Sequence, residues 1–406
     1  MGSSWSEETE TGDSEPHSRA MPDKKVEVVQ AQKFKKPGVS ILKEILRRIK
    51  LNDALIKENN QILHDFLNTF VAKMKEEDEL FKFLYRELYF TGSFYSDLRV
   101  SMPDEFDINM ILKLPFNDSE FEVIHQPQAP SFVKYRLKNH QAALLKHPRL
   151  ASSLFEDGYL IPESVRKWLQ SVVDKALRSY TPPRSCMQVC TKQSGPARTI
   201  LLKKRNGGQI DVDLVPVVSC SLILPRTYLD GRVEAKVGKT LKAFLVPKPY
   251  SSSAKQMPIN RQEAKCLWRS HFPDPEEKII YNVGCVKPII KLLKLLRDKE
   301  DWKILASYYL KTVVMWMVLE SNGKQDYWKE DKMEERFLEA LQKLDAAVSQ
   351  RKITYMFNKK YNLLEKLNEQ QATNIHNRLA FFIRNIKDDP KRLWSFFKEK
   401  PAFLNS

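Results

Sequence analysis

Two strand-like segments of the sequence carry paired carboxylates. Glu105 and Asp107 lie in EFDINMIL, and Asp211 and Asp213 lie in QIDVDLV. Because successive side chains of a strand point to opposite faces, the two acids of each pair share a face, about 7 Å apart. Carboxylates that converge from neighbouring strands repel one another unless a cation neutralises them. Mg²⁺ suits this role because it prefers oxygen ligands and bridges to phosphates, and two such ions organise nucleotidyl transfer.

A glycine and a serine precede the first acidic pair. Gly92 and Ser93 are expected to form a turn that opens a helix, where backbone N–H groups and a hydroxyl bind a phosphate. In isolation the dipeptide is an ordinary N-cap, and an acid-x-acid pair is most often a solvated strand face. The order Gly-Ser, then Glu105 and Asp107, then a later acidic strand is more specific, and it resembles the motif order of the polymerase-beta-like nucleotidyltransferases.

Composition limits the classes of partner. The chain has 406 residues, 42% of them hydrophobic, which is enough for sizeable cores and excludes a wholly disordered protein. No apolar run is long enough to span a bilayer, and five scattered cysteines do not suit a disulfide framework, so we expect a cytoplasmic protein. The formal net charge of +16 favours nucleic acid, nucleotides or acidic membrane as partners, without choosing among them.

Changes in composition predict three regions. Residues 1–36 read as a disordered tail, first acidic and then basic. Gly2 and Ser6 match an acylation motif, so membrane contact is expected only if Gly2 is acylated; an unmodified tail or a start at Met21 are the alternatives. Residues 37–225 are predicted to form a nucleotidyltransferase core lobe, and residues 226–406 a helical lobe.

Periodicity within the core lobe predicts its main elements. A long spine helix is expected from Val39 to about Phe90, with one apolar stripe. A hairpin is expected around Asn206-Gly207, the favoured two-residue turn. The predicted fold class is therefore α+β and bilobal, a mixed α/β lobe followed by an α-helical lobe.

The motif region resembles the Mab-21 family and, within it, the cyclic GMP-AMP synthases, a branch of the polymerase-beta-like nucleotidyltransferases. The resemblance rests on TGSFYSDLRVSMPDEFDINMIL, on SGPARTILL with IDVDLVPVV, on FLVPKPY before WRSHFPDPEEKII, and on ASYYLKT. These segments follow in the family's order between Ile41 and Thr312.

The resemblance implies a role for each matching residue. Glu105, Asp107 and Asp213 would hold two Mg²⁺ or Mn²⁺ ions, with Asp211 the less favoured third acid, and Asp213 would accept the proton of the attacking hydroxyl. Gly92 and Ser93 would hold the donor triphosphate. The other nucleotide contacts that it implies are Arg269, Glu276, Lys291, Ser307 and Tyr308. Alternatively, Tyr308 belongs to the core and Lys291 to a solvated helix face.

Two departures from the family pattern bear on specificity. Between EEKII and the next helix the chain offers only Cys285, whereas a zinc site needs about four ligands. We therefore expect no structural zinc. Val215 stands where cyclic GMP-AMP synthase carries a base-reading threonine, so the identity of the product is open.

Relatives that lack the zinc element, the cyclic GMP-AMP synthase-like receptors, include sensors of double-stranded RNA, so the resemblance implies double-stranded RNA as the favoured activator and double-stranded DNA as the less favoured one. Phosphate contacts of this kind carry no base code, and A-form RNA is recognised by its shape. The predicted nucleic-acid contacts are Lys33, Lys35, Lys36, Lys43, Arg47, Arg48 and Lys50. Alternatively, these cations only keep the helix soluble.

The expected activity is synthesis of a cyclic dinucleotide of the cyclic GMP-AMP type from ATP and GTP. By family analogy the product acts on a STING-type receptor in antiviral innate immunity, and the enzyme dimerises on nucleic acid. Two alternatives stay open, a linear oligoadenylate-type synthase and a catalytically silent Mab-21 scaffold protein. The second is disfavoured because all five motif residues are present.

Overall fold

A computed structural model describes residues 40–48, 53–92, 97–100, 104–194, 197–250 and 259–397. The described residues belong to one compact unit. Several predictions fall outside them: the acylation motif at Gly2, the triphosphate contact Ser93, and the nucleic-acid contacts Lys33, Lys35, Lys36 and Lys50.

Helices and strands alternate in the first half of the chain, and helices dominate the second. The helices are α1 (Ile41–Arg48), α2 (Asp53–Glu77), α3 (Glu79–Leu84), α4 (His140–Leu145), α5 (Pro148–Leu154), α6 (Pro162–Arg178), α7 (Gly231–Val237), α8 (Arg261–Lys265), α9 (Pro273–Ile280), α10 (Val286–Lys299), α11 (Ser307–Glu320), α12 (Met333–Ser349), α13 (Glu369–Asp388) and α14 (Leu393–Phe397). The strands are β1 (Tyr85–Thr91), β2 (Glu105–Leu112), β3 (Phe121–His125), β4 (Phe132–Leu137), β5 (Phe155–Glu156), β6 (Tyr159–Leu160), β7 (Cys186–Ser194), β8 (Ala197–Lys204), β9 (Gln209–Ile223), β10 (Thr240–Val246), β11 (Leu267–His271), β12 (Thr354–Tyr355) and β13 (Asn358–Asn362).

The long strand β9 organises the sheet. It pairs with β2 in parallel, with β8 through its first half and with β10 through its second half, both antiparallel. Over the described residues the sheet has eleven strands, in the order β1-β2-β9-β10-β11-β4-β6-β5, with β3 beside β4 and the β7–β8 hairpin beside β9. This α+β fold, with its helical C-terminal domain, confirms the predicted class.

Helices α2 and α6 cover one face of the sheet. The predicted stripe on α2 is buried, with Leu63, Phe66 and Phe70 almost fully inaccessible. These side chains share a core with Phe106 of β2 and Val212 of β9. Since residues of a strand alternate between faces, the acids that neighbour Phe106 and Val212 lie on the opposite face.

Two elements differ from their predictions. Residues 85–91, expected at the end of the spine helix, form strand β1, because antiparallel pairing with β2 satisfies their backbone groups. The hairpin that joins β8 and β9 is confirmed, but its connection has four residues, 205–208, and not two. Gly207 and Gly208 both have positive φ, at 90° and 85°, a conformation that glycine adopts without a steric penalty.

Beyond residue 225 the chain is mostly helical, as expected, but β10 and β11 extend the sheet of the first lobe. Helix α10 packs against α11, and helix α12 packs against α13. The division into lobes at residue 225 stays a prediction. Among the described helices, none combines the length and the apolar character that a bilayer crossing requires.

Candidate active site

The parallel pairing of β2 with β9 brings the predicted metal acids side by side. Asp107 is the register partner of Asp213, and Glu105 is the partner of Asp211. Neighbouring strands lie about 4.8 Å apart, and register partners in a parallel pair point to the same face. The four carboxylates therefore occupy one face of the sheet, opposite the helices that bury Phe106 and Val212.

Neighbouring side chains distinguish the two acids of β9. The hydroxyl of Thr199, a residue that is 2% exposed, donates a hydrogen bond to Asp213 Oδ1. Asp211 instead faces Lys192, whose Nζ lies 3.2 Å from Oδ2, and Gln209, whose amide donates to Oδ1. Asp211 is thus already neutralised by a cation, which favours Asp213 as the third acid.

The surroundings of Asp107 disfavour its charged form. Burial raises its pKa, and the carboxylates of Glu105 and Asp213 raise it further, while Arg99 lowers it. The side chain itself is exposed to solvent, because it lines an open cavity. A carboxylate held in this way binds a cation or a proton more strongly than an isolated one does.

Gly92 lies against Asp107. Its φ is +77°, and a Cβ placed on it would stand 2.1 Å from Asp107 Oδ2. The backbone therefore approaches the carboxylate as closely as glycine alone permits. This contact joins the predicted triphosphate turn to the predicted metal site, although Ser93 itself lies outside the described residues.

The acids suit a hard divalent cation by their chemistry. Three carboxylates on one face provide oxygen ligands of the kind that Mg²⁺ and Mn²⁺ prefer. In the described part of the chain, no group of three or more His, Cys, Asp or Glu side chains is already gathered closely enough to hold a metal ion. Glu105, Asp107 and Asp213 fit the ion as a donor set, and the assignment of these ligands stays a prediction.

A cavity of about 510 Å³ lies beside Asp107, and residues of the helical half of the chain form its far wall. Of the predicted nucleotide contacts, four line it: Gly92, Glu276, Ser307 and Tyr308. Two do not: Arg269 and Lys291. Asp107 of β2 and the first turn of α11 thus face each other across a space of the size that small-molecule sites have.

The far wall of the cavity holds a buried ion pair. Lys311 Nζ lies 2.6 Å from Glu276 Oε2, with side-chain exposures of 16% and 4%. Tyr308 is beside this pair, and burial, followed by the charge of Glu276, raises the pKa of its hydroxyl well above the ordinary value. The phenol of Tyr308 therefore stays neutral, and its ring provides an aromatic surface in the cavity wall.

Two lysines on α10 have different surroundings. Lys291, the predicted phosphate contact, pairs with Asp97 at 2.6 Å and does not line the cavity. Lys294, three residues later, does line it, and its Nζ donates to the carbonyl of Leu98 at 2.5 Å. Burial lowers the pKa of Lys294 to about 8. Lys294 is therefore the better placed cation for a phosphate.

Sequence reasoning missed three cavity residues, Asn109, Lys294 and Lys311. Two of them had a visible signal. Asn109 is on the same strand face as Glu105 and Asp107, and Lys311 comes three residues after Tyr308, hence on the same side of the helix. No sequence signal distinguished Lys294 from Lys291, because only tertiary packing decides which of the two lysines is buried.

The predicted nucleic-acid face on α1 is partly neutralised. Lys43 pairs with Glu330 at 2.8 Å, and both Arg47 and Arg48 pair with Glu44. Arg48 also lies over the ring of Trp394, 4.2 Å from its centroid. The cations are exposed but not free of acidic neighbours, and their role in nucleic-acid binding stays a prediction.

Comparisons with known proteins give matches over most of the chain. Residues 94–282 match the family model of the Mab-21 protein nucleotidyltransferase domain, and residues 285–381 match that of the Mab-21 protein HhH/H2TH-like domain. A protein of Aethina tumida named cyclic GMP-AMP synthase-like receptor is 30% identical over 84% of this chain and 86% of its own. Relatives of the same name in Microplitis demolitor and Tribolium castaneum are 31% and 29% identical, over 84% and 87% of this chain and 64% and 90% of theirs.

Proposed function

The chain belongs to the Mab-21 nucleotidyltransferase family, and we propose that this cyclic GMP-AMP synthase-like nucleotidyltransferase is a cyclic dinucleotide synthase activated by nucleic acid. It would join ATP and GTP into a second messenger of the cyclic GMP-AMP type, in the cytoplasm. The product would act on a STING-type receptor in antiviral defence.

One observation carries the proposal. Asp107 and Asp213 are register partners on one sheet face, and Asp107 abuts Gly92 at the edge of a cavity that Tyr308 and Glu276 close from the other side. This arrangement offers a place for a triphosphate at the acids and a place for a base at Tyr308. A scaffold protein would have no need to retain it.

Each transfer forms a bond between a ribose oxygen and the α-phosphorus of a nucleotide and breaks the bond to pyrophosphate. Mg²⁺ or Mn²⁺ held by Glu105, Asp107 and Asp213 would neutralise the charge on the phosphate. Asp213 accepts the proton of the attacking hydroxyl, and the hydrogen bond from Thr199 orients its carboxylate for this task. Lys294 binds the triphosphate, and Tyr308 stacks on a base.

Activation by double-stranded RNA fits the basic residues at the start of the described chain. Lys43, Arg47 and Arg48 lie on α1, and phosphates would compete with Glu330 and Glu44 for them. Binding of this kind weakens as salt rises because counterions are released from the nucleic acid. The RNA would need to span more than one helical turn to reach an extended face.

The test is a product analysis. Purified protein is incubated with radiolabelled ATP and GTP and Mg²⁺ or Mn²⁺, together with double-stranded RNA, double-stranded DNA or neither, and the products are separated before and after phosphatase treatment. We expect an RNA-dependent, phosphatase-resistant dinucleotide, since a cyclic product has no terminal phosphate.

The other outcomes identify the alternatives. A phosphatase-sensitive ladder would indicate a linear oligoadenylate-type synthase. The absence of any product under all three conditions would favour the silent scaffold. Product formation that no nucleic acid alters would contradict RNA sensing and leave the synthase assignment intact.

A further inference from the structure

Asn109 occupies the floor of the cavity beyond the metal acids. It lies two residues after Asp107 on β2, on the same strand face and about 7 Å further along the strand. Its register partner on β9 is Val215, which also lines the cavity. A nucleotide whose phosphates lie at Asp107 would extend its ribose and base in this direction.

The amide of Asn109 has an unsatisfied donor. The residue is 5% exposed, and its Nδ2 is buried and donates no hydrogen bond to any described residue. Buried polar atoms are almost always paired, and an orphaned donor costs stability. A cavity-lining amide that remains unpaired in the free protein is therefore a candidate for pairing with a ligand.

We infer that Asn109 is a specificity-determining residue that pairs with the Hoogsteen edge of a base and so selects adenine over guanine for one of the two nucleotides, an inference that rests on the proposed function. An amide presents one donor and one acceptor side by side, and a half-turn of the group exchanges them. Adenine offers the complementary pair, an amino donor next to a ring-nitrogen acceptor. The Hoogsteen edge of guanine carries two acceptors and suits arginine instead.

Several residues near Asn109 do not distinguish adenine from guanine. Val215 contributes no hydrogen bond, and Lys311 and Glu276 are engaged with each other at 2.6 Å. Tyr308 offers a ring that stacks on either purine. Of Asn109 and its register partner Val215, Asn109 is the one that can hydrogen-bond the edge of a base.

The experiment measures binding, so that its result does not depend on turnover. Non-hydrolysable α,β-methylene analogues of ATP and GTP are titrated calorimetrically into the full chain with Mg²⁺, with and without double-stranded RNA. One good bidentate contact gives the wild type a preference for the adenine analogue of roughly 5- to 150-fold. Asn109→Leu reduces this preference to below about 3-fold, since it keeps the size and removes both polar atoms.

A second variant removes the donor and keeps the acceptor. Asn109→Asp has the same shape but only accepts, so it cannot donate to the ring nitrogen of adenine, and the affinity for the adenine analogue falls. Asn139→Leu, at an exposed position outside the cavity, is the control for the type of substitution and leaves the preference unchanged. Thermal unfolding establishes that each variant is folded.

The outcomes separate this inference from the proposed function. Equal affinities for the two analogues in the wild type, or an unchanged preference in Asn109→Leu, would overturn the role of Asn109 even if a cyclic product is made. A preference that depends on Asn109 in a protein that forms no phosphodiester bond would support nucleotide selection and overturn the synthase assignment.

Discussion

Asp107 and Asp213 are direct register partners on adjacent parallel strands, so their carboxylates lie on the same face of the sheet. Asp211 is on that face too, but Lys192 and Gln209 hold its carboxylate. These neighbours of Asp211, and not the spacing of the two acids along the strand, distinguish Asp213 as the catalytic candidate.

The first prediction uses this difference as a matched pair of variants. Asp213→Asn is expected to lower nucleotide turnover roughly 1,000-fold, because it removes both a metal ligand and the proton acceptor. Asp211→Asn is expected to stay within about 3-fold of the wild type, since its charge is already neutralised on the surface. Initial rates of labelled product formation measure both. Comparable losses in the two variants would contradict the assignment of Asp213.

The second prediction concerns stability and pH. The raised pKa of Asp107 means that the folded protein holds this proton more tightly than the unfolded chain does. Its ionisation therefore removes stability as the pH rises through that raised pKa. Asp107→Asn carries no charge, and we expect its melting temperature to exceed that of the wild type by about 1–2 °C at pH 7.

The gain should shrink as the pH falls towards 3.8, the ordinary pKa of an aspartate, where both proteins carry a neutral side chain. Differential scanning fluorimetry between pH 4 and pH 8 follows the change, with Asp211→Asn as the control for the same substitution on the same face of the sheet. A gain that does not depend on pH would show that the charge of Asp107 is not its source. Catalysis should be lost in Asp107→Asn in spite of the added stability.

The third prediction tests the approach of Gly92 to Asp107. Gly92→Ala places a methyl group against a carboxylate oxygen at a positive φ, so both a clash and backbone strain are expected. Gly207→Ala also stands at a positive φ, but nothing lies within 4 Å of its added Cβ. The control should lose about 1 kcal/mol of unfolding free energy and keep its activity.

For Gly92→Ala we expect a larger loss of unfolding free energy and a decrease in turnover of roughly 100-fold, because the acid must move. Urea unfolding and initial rates provide the two measurements. If Gly92→Ala were as active as Gly207→Ala, the close contact would have no catalytic meaning.

The fourth prediction concerns Lys294. Burial lowers its pKa to about 8, so its ammonium loses its proton as the pH rises through that value. Since kcat/KM reports the groups of the free enzyme, it should fall above about pH 8. Lys294→Gln should remove this alkaline decrease and lower kcat/KM roughly 10-fold at pH 7, because the phosphate loses a charged partner.

Lys291→Gln is the matched control, since Lys291 is on the same helix but pairs with Asp97 outside the cavity. It should retain the alkaline decrease. A pH profile that Lys294→Gln leaves unchanged would assign the decrease to another group.

The sequence predicted the strands that carry the carboxylates at positions 105, 107 and 213, because alternation of apolar and polar residues is a local pattern. The pairing of β2 with β9 was not readable from the sequence, since it joins segments about a hundred residues apart in the chain. Strand β1 was misread as helix because aromatic and aliphatic residues fit both periods, and only the vacant edge of β2 decides between them. Likewise, no sequence pattern shows that Lys294 is more buried than Lys291.

The last prediction tests the basic helix against its acidic neighbours. Glu44 pairs with both Arg47 and Arg48, so a phosphate must compete with one carboxylate for two cations. Glu44→Gln should strengthen binding to double-stranded RNA, and Arg47→Gln should weaken it and reduce the steepness of its salt dependence by about one counterion. Fluorescence anisotropy at several salt concentrations measures both effects. The exposed position of Lys303 makes Lys303→Gln the control for removing a positive charge elsewhere. Equal weakening by Arg47→Gln and Lys303→Gln would mean that net charge, and not this helix, attracts the RNA.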